Sequence, residues 1–303
     1  LFKPQRAGTG RGWSLGRFGR RTPQAAPAFA RPQVSAPARV TPATGATVAW
    51  TQFVRQWWFD TVGVFRSVPF LVMLLFAVAN FIASASLADT MFGTRVYPVT
   101  SLMNTSLQNS YSFMLIFVVM FYAGELVWKE RGARLGEVTD AMPVPNWVPL
   151  AAKMSALAAV VLAFQAIGAL AAVGFQLFKG FTAIEPALYV QEIVLGSVPF
   201  VLMGGLALVL QVLSNNKFIG YGLLIAWLVL QGTLGFLDFD HNLYSYASAP
   251  AAPYSDMNGY GHFLAGRLWF QSYWGACLLA LLLVSAAFWV RGVAPSRRDR
   301  LRL

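Results

Sequence analysis

The chain has 303 residues, of which 57% are hydrophobic and only 12% are charged, and its mean hydropathy is +0.55. This composition excludes an ordinary soluble domain of that length and is typical of an integral membrane protein. The formal net charge is +11, but residues 1–48 hold eight basic side chains and no acidic one, so the positive charge belongs mostly to this tail. We expect the tail to meet anionic lipid or an acidic partner, and we expect no nucleic-acid partner.

Residues 1–48 are rich in Pro, Ala, Gly and Arg and have no apolar periodicity. Such a segment buries too little surface to offset the loss of chain entropy, so we predict a disordered cytoplasmic linker. It lacks the apolar core of a secretory signal. Because the first residue is Leu1 and not Met, we expect the chain to be a piece of a longer protein.

Residues 50–66 form the next element, in which Trp50, Phe53, Trp57 and Trp58 recur at helical offsets among polar side chains. Tryptophan favours the headgroup level of a membrane. The pattern predicts an interfacial helix that leads into the first membrane span.

Six apolar segments follow that are long enough to cross about 30 Å of hydrocarbon at about 1.5 Å per residue. Together they predict an all-α integral membrane domain over residues 49–295, followed by a basic cytoplasmic tail over 296–303. The predicted spans are 68–88, 111–128, 149–178, 188–213, 217–237 and 270–290.

Lys and Arg residues near the span ends predict the orientation. If the tail is cytoplasmic, twelve basic residues outside it lie on the cytoplasmic side, and only Arg95, Lys179 and Arg267 lie on the other. We therefore expect a multi-pass protein with both ends in the cytoplasm. Two long loops, about 89–110 and 238–269, are expected on the far side.

The segment over residues 129–153 is the densest run of charge outside the ends of the chain. Its apolar residues Leu135, Val138, Ala141 and Met142 have the spacing of one helix face, which predicts a small amphipathic helix on the cytoplasmic side. Proline then stops the helix, and Trp147 has the position of a membrane-surface anchor. Such a helix could rest on the lipid headgroups, or a soluble partner could push it.

The same segment also contains a longer sequence pattern. Its residues are Glu130, Arg131, Leu135, Glu137, Asp140, Ala141, Met142, Pro143, Val144, Pro145, Trp147 and Lys153. This pattern resembles the loop between the second and third spans of type-2 ABC transporter permeases, in which a coupling helix docks onto an ATPase. The resemblance implies one permease half in a bacterial inner membrane, a second six-span half, and a separate subunit that binds ATP at the cytoplasmic face. It implies that the ATPase-coupling residues are Glu130, Arg131, Arg134, Glu137, Asp140, Pro143 and Pro145.

A closer resemblance rests on two segments, GELVWKERGARLGEVTDAMPVPNW and YSDMNGYGHF. They look like the second membrane half of large bacterial proteins that join a type-2 ABC permease region to an aminopeptidase-N-like zinc peptidase. The alternative function is therefore a membrane anchor for such a peptidase, which would follow this chain.

The chain itself carries no catalytic motif that we recognise. Its two histidines, His241 and His262, cannot form an H-E-x-x-H zinc helix, and no phosphate-binding G-x-x-x-x-G-K-[ST] loop occurs. We therefore expect no enzyme activity, metal or cofactor in this chain, and we expect ATP to bind to the partner subunit. Asp238, Asp240, His241, Asp256 and His262 are interpreted as a polar loop cap rather than a metal site.

Polar and small residues in the spans leave further possibilities open. Intramembrane carboxylates are often functional, which singles out Glu125 and Glu192, although both lie near predicted span ends. Glu125 could face water or pair with Lys129 one turn later. Lys153 is expected to extend to the membrane surface. Two glycine pairs, 204–205 and 232 with 235, predict close helix packing.

Overall fold

The computed structural model describes residues 45–87, 90–91, 94–133, 135, 142, 144–145, 147–214, 216–239 and 241–289. Within these ranges the secondary structure is helical apart from one pair of two-residue strands, Thr90–Met91 (β1) and Thr94–Arg95 (β2), which pair antiparallel. The helices are α1 Ala46–Phe65, α2 Val68–Leu87, α3 Thr100–Gly132, α4 Trp147–Phe178, α5 Pro186–Leu213, α6 Lys217–Phe236 and α7 Phe263–Ala287.

Six of these helices, α2 to α7, are long and apolar enough to cross a membrane. The chain is thus a helical, multi-pass membrane protein, as the sequence predicts. Two spans begin earlier than predicted: α3 starts at Thr100 rather than 111, and α7 starts at Phe263 rather than 270. At 33 residues, α3 is about 50 Å long and exceeds the hydrocarbon thickness.

Three long helices, α3, α4 and α5, form the centre of the bundle. About half of the most apolar window of each is buried within the protein, whereas the share is 22% for α2 and α7 and 11% for α6. Most of the largest buried side chains, including Tyr111, Tyr122 and Phe164, lie on the central helices, and Phe70 and Phe81 of α2 pack among them. Helices α2, α6 and α7 pack around this centre and keep an exposed apolar face.

The helix before the first span, α1, packs along α4 and also touches α2. Its Trp50, Trp58 and Phe59 are each more than 60% exposed, whereas Asp60 on the same helix is buried. This helix therefore has one face for the protein and one for its surroundings, which fits an interfacial position.

The helices alternate in direction, so the bundle has two chemically different ends. The charged end comprises α1, the end of α3, the start of α4 and the connection between α5 and α6. The loop end comprises the start of α3, the connection between α4 and α5, and the segment 237–262.

One of the two predicted glycine pairs packs closely. A Cβ atom on Gly204 would lie 2.6 Å from Leu157 of α4, and one on Gly205 would lie 2.4 Å from Leu278 of α7. A Cβ atom on Gly232 or Gly235 would meet nothing within 4 Å among the described residues, so that pair makes no close helix contact in this part of the chain. Those two glycines lie on α6, the least buried of the membrane-length helices.

Candidate coupling site at the charged end

A group of four charged side chains, two of them buried and two partly exposed, joins three helices at the charged end. Asp60 of α1 is 2% exposed and Lys153 of α4 is fully buried. The Lys153 Nζ atom lies 3.0 Å from Glu130 Oε1 at the end of α3 and 3.8 Å from Asp60 Oδ2. Lys129, which precedes Glu130, lies 3.5 Å from Asp60 Oδ1. We call Asp60, Lys129, Glu130 and Lys153 the charge cluster.

The charge cluster corrects the expectation that Lys153 extends to the membrane surface. Lys153 lies in the second turn of α4 on the side covered by α1 and the end of α3, so its ammonium group is neutralised within the protein. Buried charges persist only when they are paired, and two carboxylates flank this one.

Asp60 is the residue of the cluster that the sequence analysis missed as a functional candidate. Burial raises the pKa of the Asp60 carboxyl above its ordinary value, while Lys153 and Lys129 oppose the rise and Glu130 adds to it. Its Oδ2 atom accepts no hydrogen bond from the described residues, and Lys153 at 3.8 Å is its nearest paired charge. The one available signal was a single acidic residue between the aromatic positions of an interfacial helix.

A second polar connection at this end links α3 to α5 and α6. The Trp128 indole donates a 2.8 Å hydrogen bond to the buried Gln211 of α5. Lys217, the first residue of α6, forms a 2.6 Å ion pair with Glu125 of α3. The sequence leaves two possibilities for Glu125, namely to face water or to pair with Lys129. Its side chain is 43% exposed, and its partner is Lys217 rather than Lys129, which pairs with Asp60.

The described coupling residues lie in places that differ from the sequence prediction. Lys129, Glu130 and Arg131 belong to the last turn of the long span and not to a separate helix. Leu135 and Met142, two of the four residues assigned to its apolar face, lie outside any helix. Pro145 is exposed just before α4. Arg134, Glu137, Asp140 and Pro143 lie outside the described residues, as do Val138 and Ala141.

Arg131 differs from its neighbour Glu130 in its surroundings. Its side chain is exposed and its guanidinium lies 5.1 Å from the ring centre of Trp128, a cation–π distance. Glu130 instead points back to Lys153. Of the described coupling residues, Arg131 is thus one whose exposed side chain another molecule can contact, and Glu130 holds the end of α3 in place.

An open cavity of about 440 Å³ lies beside the charge cluster. Leu135, Met142 and Val144 line one side of it and α1 lines the other, with Asp60 and Glu130 at its edge. Leu135 and Met142 are each about half exposed. Near this cavity, the rings of Phe53 and Trp147 lie 6.4 Å apart, so the predicted surface anchor Trp147 contacts α1.

The histidines and acidic residues of the loop end have ordinary structural contacts. The backbone N–H of Leu243 donates to His241 Nδ1, and the ring of His262 packs on Phe263. Asp238 has a left-handed backbone, with φ of 58°. In the part of the chain that the structure describes, which leaves out Asp240, no three His, Cys, Asp or Glu side chains are grouped as a metal site would need.

Comparison of the chain with protein-family models, with characterised proteins and with solved structures finds no match.

Proposed function

We propose that the chain is one six-span half of an ABC-type transporter, in which the connection between α3 and α4 receives force from a separate ATP-hydrolysing subunit. The observation that carries this proposal is the charge cluster. It lies where the two longest helices of the bundle meet the connection of residues 133–146, and it fixes both flanks of that connection.

The connection between α3 and α4 can transmit force only if both of its ends are fixed to the bundle. Glu130 at the end of α3 and Lys153 near the start of α4 are joined at 3.0 Å, so the two helices cannot separate at this end without leaving the buried Lys153 charge with one fewer partner. Asp60 adds α1 to the same unit. A push on the connection would therefore move α1, α3 and α4 together rather than deform one loop.

The same push would reach the rest of the bundle. Trp128 joins α3 to α5 through Gln211, and Glu125 joins it to α6 through Lys217. Because α3 and α5 are also packed along their length in the core, a tilt of α3 would be passed on to α5. A tether that only holds another domain at the membrane has no need of such rigid connections.

A second six-span half would cover part of the apolar surface of the outer helices. On α2, Leu75 is 69% exposed and Phe76 is 58% exposed, and on α6, Phe218 is 77% exposed. Lipid would cover what the second half leaves free.

The sharpest test replaces Arg131, because it is exposed and does not belong to the charge cluster. The chain is purified in mild detergent from the cells that make it, and the preparation is photolabelled with 8-azido-ATP. We expect a separate labelled polypeptide to co-purify with the wild type. A partner surface that attracts Arg131 would repel a carboxylate at the same position. Arg131→Glu should therefore lower the recovery of the labelled polypeptide by about tenfold or more.

Lys179→Glu is the matched control. Lys179 also lies over an aromatic ring, with its Nζ atom 5.5 Å from the ring centre of Phe175, but it is at the loop end. Its replacement should leave recovery unchanged. The proposal is wrong if no azido-ATP-labelled polypeptide co-purifies, or if both variants lower its recovery equally.

A further inference from the structure

A second cavity of about 600 Å³ opens at the loop end, far from the coupling site. The start of α3, the start of α5 and the segment 252–260 line it. A much smaller cavity continues inward from it, shares Asn104, Gln108 and Glu192 with it, and reaches Gln165 of α4. The larger volume lies within the range of about 300–1,000 Å³ typical of small-molecule sites.

Three buried polar atoms at this cavity have no hydrogen-bond partner among the described residues. They are Asn104 Nδ2, Tyr260 Oη and Glu192 Oε2. Asn104 is 5% exposed and Tyr260 is 8% exposed, so both side chains are more than nine-tenths buried. Buried polar groups in folded proteins are nearly always paired, and an unpaired one costs about 1–3 kcal/mol. The Tyr260 hydroxyl and the Glu192 carboxylate lie close enough to interact with each other, so the Asn104 amide is the donor that has no partner among the described residues. A buried amide without a partner at the wall of an open cavity indicates a missing polar ligand.

The charge of the cavity wall is negative. Among the described residues that line it, Glu192 is the only one with a carboxyl group, and none is Lys, Arg or His. Glu185 and Asp256 lie close to Tyr254 on the rim of the cavity. The positively charged side chain of Arg267 lies near Tyr260. The Arg267 guanidinium is already engaged, because it donates a 3.1 Å hydrogen bond to the carbonyl oxygen of Leu195.

Aromatic surface completes the site. The rings of Tyr254 and Tyr260 meet edge to face with centres 5.5 Å apart. Burial and the neighbouring Glu192 carboxylate raise the pKa of Tyr260 to about 12, so its hydroxyl keeps its proton at neutral pH. The Tyr260 hydroxyl interacts with the Glu192 carboxylate, so the donor left for a ligand is the Asn104 amide, and the Glu192 carboxylate can accept.

We propose that this cavity binds a small molecule that carries a positively charged amine and a hydrogen-bond acceptor. The Glu192 carboxylate receives the amine. The Asn104 amide donates to the acceptor, the Tyr260 hydroxyl supports the Glu192 carboxylate, and the two tyrosine rings cover the apolar part. Nothing in this assignment requires the coupling function, and binding can be measured without any ATP-hydrolysing subunit.

The test uses the chain in phosphatidylcholine nanodiscs, whose zwitterionic surface attracts amines weakly. Dansylcadaverine, a fluorescent primary amine, is titrated by fluorescence anisotropy beside its N-acetyl derivative, which has no charge. We expect saturable binding of the amine that is at least about tenfold tighter than that of the acetylated compound, because only the amine forms a charge-assisted hydrogen bond. Glu192→Gln should remove this preference and leave the weak binding of the acetylated compound unchanged.

Asp238→Asn is the matched control variant. Asp238 is an exposed carboxylate at the same end of the bundle, it does not line the cavity, and Asn tolerates its left-handed backbone. This variant should keep the tenfold preference. A thermal melt of each variant checks that the bundle is intact.

Three results would overturn the proposal. The first is an absence of saturable amine binding to the wild type, which would mean that water alone fills the cavity. The second is equal binding by the wild type and Glu192→Gln. The third is an equal loss of the preference for the amine in Asp238→Asn, which would show that the preference comes from general surface charge.

Discussion

At the scale of single residues, charged side chains in this chain form ion pairs with residues that are distant in sequence. The helical offset allows Glu125 to pair with Lys129, but Glu125 pairs with Lys217, 92 residues away, and Lys129 pairs with Asp60. Helical pairs at an offset of four contribute only about 0.2–0.5 kcal/mol, so tertiary packing easily overrides them. Pairings of this kind cannot be read from the sequence because they depend on which helices become neighbours.

Lys153 shows the same limit and gives the first stability prediction. The sequence places it near a span end, where lysine usually extends to the surface, but α1 and the end of α3 cover it. Lys153→Met would leave the buried Asp60 carboxylate with one weak partner. We expect a loss of about 3 kcal/mol in the free energy of unfolding, measured by titration with SDS in mixed micelles.

Lys217→Met is the matched control for Lys153→Met. The side chains of Lys217 and Glu125 are 30% and 43% exposed, so removal of this pair should cost about 1 kcal/mol or less. The double variant Asp60→Asn with Lys153→Met should regain much of the loss, because it removes both buried charges. Equal losses for Lys153→Met and Lys217→Met would show that the charge cluster is not effectively buried.

At the scale of helices, the sequence predicts the number and order of the membrane-length segments, but not where two of them begin. Residues 100–110 contain many Ser, Thr, Asn and Gln side chains and read as loop. The segment is helical, and neighbouring helices pair several of its polar groups: Ser110 accepts from Asn80 of α2 through its carbonyl oxygen, and Thr100 contacts Gln176 of α4. Hydropathy alone does not reveal a helix whose polar groups are paired inside the protein.

Helix packing at Gly205 gives the prediction at this scale. A Cβ atom there would lie 2.4 Å from Leu278, which is 6% exposed and has little room to move. Gly205→Ala should therefore lower the free energy of unfolding by about 1–3 kcal/mol through overpacking between α5 and α7. SDS titration measures the change.

Gly222→Ala on α6 is the control for Gly205→Ala. A Cβ atom at Gly222 would meet nothing within 4 Å, so the higher helix propensity of Ala should leave stability unchanged or raise it by up to about 1 kcal/mol. A neutral Gly205→Ala variant would mean that α7 is free to shift away from α5.

At the scale of the whole molecule, the two ends of the bundle carry different chemistry, and the sequence indicates how the bundle is oriented. Lys and Arg concentrate at the end that holds α1 and the charge cluster, and the cytoplasmic side of a membrane protein collects such residues. The candidate coupling site would then face the cytoplasm, where ATP is available, and the cavity beside Glu192 would open on the opposite side. In the cell, both proposals therefore require the charged end of the bundle to face the cytoplasm.

Cysteine labelling in intact cells tests this orientation. Cys277 is the single cysteine of the chain, so Cys277→Ala gives a cysteine-free background. Met257→Cys places a thiol at a 97% exposed position of the loop end, and Gly132→Cys places one in open space at the end of α3. We expect a membrane-impermeant maleimide to label Met257→Cys at once and Gly132→Cys only after the membrane is permeabilised. The reverse pattern would place the candidate coupling site on the side without ATP, where no ATP-hydrolysing subunit could reach Arg131.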